Sequence, residues 1–61
     1  MKNLSIHFTT SYGRFIIKTT HYNKSIACTT TNTEAIDYAR DGKLWAIKEL
    51  RNEIIRKNKL N

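Results

Sequence analysis

Ser25-Ile26-Ala27-Cys28-Thr29-Thr30-Thr31-Asn32-Thr33-Glu34-Ala35-Ile36 is the stretch in which the chain changes its period. Up to Thr30, Ile26 and Cys28 alternate with Ala27 and Thr29, the two-residue period of a half-buried strand. Thr31-Asn32-Thr33-Glu34 then fits a capping box, with Thr31 as the N-cap and Glu34 reaching back from the third helical position. Placed on one helix, Ala35, Ile36, Ala39, Ala46, Ile47, Leu50 and Ile54 fall within a sector of ~120°. A single boundary divides sheet-forming from helix-forming chain.

Toward the N-terminus, Leu4, Ile6 and Phe8 alternate with Ser5 and His7, and Thr9 to Gly13 reads as a turn. Phe15, Ile17 and Thr19 alternate with Ile16, Lys18 and Thr20 as a β-branched strand, and Tyr22-Asn23-Lys24 reads as the next turn. Connections this short predict antiparallel pairing. The expected fold is α+β: a three-stranded antiparallel sheet followed by a C-terminal helical segment, βββα. It is one small domain over 1–61, with the sheet in 1–31 and the helical part in 32–58. Lys43 falls inside the apolar stripe and Asp41-Gly42 reads as a helix stop, so one bent helix and two helices both stay open. The chain has no proline, and no internal repeat is read in it.

A chain of 61 residues buries only ~60% of the surface its unfolded form exposes. Such domains usually compensate with disulfides, a metal or oligomerisation. Cys28 is the only cysteine, so no intramolecular disulfide forms, and an unpaired thiol suits a reducing cytosol. His7, His21 and Cys28 lack the paired spacing of a zinc site. Gly13 and Gly42 are the only glycines, so no phosphate-cradling loop is present. Cys28 shares the parity of Ile26, which buries it and argues against a nucleophile. No cofactor is expected and catalysis is not. Phe15-Ile16-Ile17 is far shorter than the ~20 apolar residues a membrane span needs. No apolar stretch follows Met1-Lys2-Asn3-Leu4, so no signal peptide is expected and the expected location is cytoplasmic.

Binding is what remains. The net charge is +6, and residues 1–33 hold Lys2, Arg14, Lys18 and Lys24 with no acid. A basic surface favours acidic partners, nucleic acid or protein. With Leu4, Phe15, Ile17 and Ile26 toward the helix, the open sheet face shows His7, Arg14, Ile16, Lys18, Thr20 and Thr29. His7, Arg14, Lys18 and Lys24 are the candidate nucleic-acid contacts, on a sheet able to lie in a major groove. Four apolar residues miss the core stripe: Tyr38 and Trp45, seven apart, and Leu44 and Ile55, eleven apart. Together with Arg14 they are the candidate protein-binding residues, since hot spots favour Trp, Tyr and Arg. Self-association into a dimer through them is one expectation. Packing of Trp45 over the open edge of its own domain is the other.

Met1-Lys2, Leu4, Thr10-Ser11, Gly13, Phe15, Ile17, Thr20 and Asn23 resemble, in one gap-free register, the DicB-like cell-division inhibitors of lambdoid prophages. The resemblance lies mainly in residues 1–23, and Thr33-Glu34-Ala35-Ile36 resembles a later segment of that family once a few residues are inserted. From Lys24 onward the sequence departs from that family, so no family contact residue is carried over. What it implies is a phage-type protein that binds a host protein, the division-site regulator MinC. Such a complex is directed to the septum, where it antagonises FtsZ ring assembly.

Overall fold

The computed structural model describes residues 6–59, the side chain of Ser11 excepted. The elements are β1 (His7–Ser11), β2 (Arg14–His21), β3 (Lys24–Thr30), α1 (Thr33–Arg40) and α2 (Leu44–Lys57). The sheet is an antiparallel meander in the order β1-β2-β3, so the fold is βββαα. The expected strand over 4–8 begins outside the described residues, at Leu4. Its far end lies later than the sequence reading put it, because Thr9, Thr10 and Ser11 are strand and only Tyr12-Gly13 is turn.

Both hairpins close with two residues at positive φ: Tyr12 (53°) with Gly13 (76°), and Tyr22 (51°) with Asn23 (64°). Turns of this type match the twist of the strands they join, which favours two-residue loops. Lys24 therefore opens β3 instead of ending the turn. The two closures share one pattern, Thr9-Thr10-Ser11-Tyr12-Gly13-Arg14 and Thr19-Thr20-His21-Tyr22-Asn23-Lys24. That is a short internal repeat, contrary to the expectation of none, and the differing strand residues between its copies obscure it.

Register decides the faces. Phe8 pairs with Ile17 and Thr10 with Phe15, while Ile17 pairs with Cys28 and Thr19 with Ile26. These residues form the helix-facing side. The core joins Ile17 to Ala35, Ile36, Ala39, Ala46, Leu50 and Ile54, with Phe8, Phe15, Ile26, Cys28 and Ile47 packed around it. The expected stripe is thus the buried one, with Ile47 at its margin. α2 lies across β2 and β3, and α1 packs on α2.

The helical half is two helices. Gly42 takes φ +84°, its N–H donates to Ala39 O (3.0 Å), and the Lys43 N–H donates to Tyr38 O (3.0 Å). This pair of bonds is the Schellman closure, which ends a helix and satisfies its last carbonyls. The break turns the exposed Lys43 out of the core stripe and makes it the residue before α2. At the other end of α1 the expected capping box is displaced by one residue. Asn32 is the N-cap, its Oδ1 accepting from the Ala35 N–H (3.1 Å). With the box shifted, the third helical position is Ala35, which has no carboxylate to reach back, and the Asn32 N–H donates instead to Thr30 Oγ1 (3.1 Å). The hydroxyl of the preceding strand does the glutamate's work. Among the described residues, no helix is long and apolar enough to cross a membrane.

A Cβ on Gly42 would meet nothing within 4 Å, so Gly42→Ala introduces backbone strain alone. It should cost about 1–2 kcal/mol, the penalty for a left-handed L-residue. Urea unfolding should show a lower midpoint with an unchanged slope.

Candidate interaction surfaces

Tyr38 and Trp45 meet across the break between the helices, with ring centroids 5.3 Å apart and planes tilted by 50°. Each ring covers part of the other, yet Tyr38 stays 42% and Trp45 51% exposed. Leu44, beside Trp45 in the first turn of α2, is 52% exposed. Ile55 lies about three turns further along α2, near the same helical face, and is half-buried. The structure therefore brings Tyr38 to Trp45 and sets Leu44 next to them in the chain. It separates Arg14, which lies on the far side of the sheet.

That far side carries the alternate register: His7 opposite Lys18, Thr9 opposite Ile16, Ile16 opposite Thr29, Lys18 opposite Ala27 and Thr20 opposite Ser25. Apart from the half-buried Ile16, these side chains are exposed. His7 and Lys18 are direct cross-strand neighbours, and Arg14 sits roughly 13 Å from Lys18 along β2. The five acids, Glu34, Asp37, Asp41, Glu49 and Glu53, all lie in the helical half. The outer sheet face is basic and hydroxylated with no acid in its strands. Lys24 does not belong to it, because Lys24 has the parity of Ile26 and Cys28 and so takes the helix side.

A third surface is a cleft of about 320 Å³ between the end of β3, the start of α1 and the flank of α2. The Thr30 hydroxyl donates to Glu53 Oε1 (2.9 Å), and Lys57 Nζ lies 2.7 Å from Glu53 Oε2. Glu49 and Glu53, four apart with Lys48, Arg51 and Arg56 around them, have the spacing of a solvated ion-pair face. Instead Glu53 is half-buried on the β3 threonine, and Arg51 turns to the sheet. Arg51 Nε donates to Thr19 Oγ1 (3.3 Å) and its Nη2 to Thr20 O (3.0 Å). Lys57 also donates to Thr29 O (2.7 Å), and Asn58 Nδ2 to Ala27 O (3.1 Å). These side chains fasten α2 to β2 and β3. The available signal was that Thr19 and Thr30 share the parity of Ile17 and Cys28, where a buried hydroxyl needs a partner.

Burial pushes the Cys28 thiol up, with Glu53 adding to the shift and Lys57 and Arg56 opposing it. The thiol stays protonated at neutral pH, the opposite of an activated nucleophile. His21 lies against Tyr22 at 4.3 Å, and its buried Nε2 has no hydrogen-bond partner. Among the described residues, no three His, Cys, Asp or Glu side chains gather where they would hold a metal ion.

Thr30→Val keeps the shape and removes both bonds of a hydroxyl that is 3% exposed. It should cost about 2 kcal/mol, as for a buried hydrogen bond to a charged group. Thr29→Val, on the open face, should stay within about 0.5 kcal/mol of the parent. Denaturant titration of the two variants side by side is the measurement.

No protein-family model, no curated protein and no solved structure matches this chain.

Proposed function

We propose that this protein acts by binding a host protein, and that Tyr38, Leu44 and Trp45, with Ile55 along α2, form the contact. The observation that carries the reading is the half-exposed Tyr38–Trp45 ring pair at the break between α1 and α2, with exposed Leu44 preceding Trp45 in the chain. Clustered apolar exposure rimmed by charge is what recognition surfaces present to a partner. Aromatic anchors dominate the energetics of such contacts. The resemblance of residues 1–23 to the DicB-like inhibitors supplies the finer proposal, a division inhibitor that recruits MinC against FtsZ ring assembly at the septum. Arg14, on the opposite side of the sheet, is not part of this contact.

Expression in a rod-shaped enteric bacterium should then produce filaments, and deletion of MinC should abolish them. Trp45→Ala should weaken filamentation more than Lys57→Ala, by a factor matching the loss of about 2 kcal/mol at an aromatic anchor. Circular dichroism of both variants separates lost contact from lost fold. Normal division at full expression overturns the division assignment, and filaments without MinC overturn the partner.

A second reading rests on the acid-free outer face bearing His7, Arg14 and Lys18. Such a face offers cations and hydroxyls to a nucleic-acid duplex. Affinity should fall steeply between 50 and 200 mM salt (on the order of those limits), because neutralised phosphates release counterions. Arg14→Glu with Lys18→Glu should abolish it, and undetectable binding at the lower salt ends this reading.

A further inference from the structure

The two edges of the sheet are treated differently. On β3, the outward carbonyls of Ala27 and Thr29 are taken by Asn58 and Lys57 from the end of α2. An edge so occupied has few acceptors left for another strand, and Lys24 at its start is a further deterrent. β1 has none of these protections. His7-Phe8-Thr9-Thr10-Ser11 contains no Lys, Arg, Asp, Glu or Pro, and β1 is a regular strand in unbroken register with β2. Among the described residues, no side chain hydrogen-bonds to it.

The turn fixes which backbone groups β1 leaves unused. In a two-residue hairpin the flanking pair, here Ser11 and Arg14, exchanges both of its hydrogen bonds, and the pattern alternates from there. His7 and Thr9 are then directed at β2, and Phe8 and Thr10 point their N–H and C=O groups outward. The second hairpin supports the rule. Alternation from the His21–Lys24 pair sends the carbonyls of Ala27 and Thr29 outward, where Asn58 and Lys57 meet them.

We propose that two copies of this chain pair through β1, antiparallel about a two-fold axis at Thr9, into one six-stranded sheet. In that register Phe8 faces Thr10 of the second copy on both sides of the axis, using about four inter-chain backbone hydrogen bonds. Thr9 faces its own copy on the outer face. The occupant is a second copy because β1 is uncharged and so self-complementary, with no like charges directly opposed despite the net charge of +6. The nearest cations, Arg14 and Lys18, lie one strand further in, opposite Ser11 and His7. The helix side also gains. α2 covers β2 and β3, and the half-buried Phe8 has the Arg40 guanidinium 5.9 Å from its ring centre. A two-fold copy adds its own Phe8 and Thr10 to that margin. The backbone pairing itself uses no atom of Tyr38, Leu44 or Trp45, and it joins two basic outer faces into one.

Sedimentation equilibrium at tens of micromolar tests the association, and two variants test its place. Thr10→Pro removes an N–H that points outward and spares the β1–β2 ladder, so it should give a monomer. Thr9→Cys in a Cys28→Ser background should oxidise rapidly to a covalent dimer, since directly facing residues of a non-hydrogen-bonded pair lie within disulfide reach. Thr20→Cys in the same background, on the outer face of β2, should not. Trp45→Ala should leave the dimer intact, which separates this contact from the helical edge. A monomeric parent protein overturns the proposal. So does a dimer that is lost on Trp45→Ala, or one that Thr9→Cys fails to cross-link. Should Thr10→Pro fail to fold, the cross-linking pair decides alone.

Discussion

Everything above the sheet depends on one residue that accepts a left-handed backbone, Gly42. A single helix through Lys43 would carry a lysine into the apolar stripe and point much of its length away from a sheet only seven or eight residues long in its main strands. Reversing the chain at Gly42 lets two shorter helices share the coverage. It also brings Ile36 and Ala39 into the same core as Leu50 and Ile54. The Tyr38 carbonyl closes that reversal while the Tyr38 ring packs on Trp45, so the candidate binding edge is part of the turn that makes the fold.

The second constraint is polar. Three of the seven buried apolar residues among those described are alanines, so this core releases little apolar surface per residue. The seam between α2 and the sheet is instead closed by side chains that find partners across it: Glu53 on Thr30, and Arg51 on Thr19 and Thr20. The outer face carries a single sign of charge because residues 1–33 hold no acid, and the seam keeps Glu53 on the helix side of the sheet.

Much of this architecture was legible in the residues. Ile26 and Cys28 announced the last strand, and the stripe from Ala35 to Ile54 announced the helical face that is buried. Three details departed from those patterns, and one of them was set by a partner distant in sequence. The N-cap is Asn32 and not Thr31, and its amide is met by the Thr30 hydroxyl instead of by a glutamate. β1 extended through Thr9 and Thr10 because a tyrosine accepted positive φ in a tight turn, which residue preferences argue against. Arg51 was placed with acids on its own helix, whereas its guanidinium is held by a strand some thirty positions earlier. For the binding residues, the spacing of seven grouped Tyr38 with Trp45 on a continuous helix, and the chain reversal groups them by another route. Arg14 belongs to the expected residues of both surfaces, and register puts it on the outer one.

The protection of β3 by Lys57 and Asn58 has a consequence for synthesis. Pairing within the meander involves only sequence neighbours, so the hairpins are able to form early, whereas docking α2 joins segments that are far apart along the chain. On the ribosome the sheet emerges first, and the side chains that shield its last strand are added only after the whole sheet. Until they arrive, both edges of the meander and its apolar face are open at once, which is the condition under which nascent sheets aggregate. Translation rate through the helical half thus governs how long the young chain needs shelter.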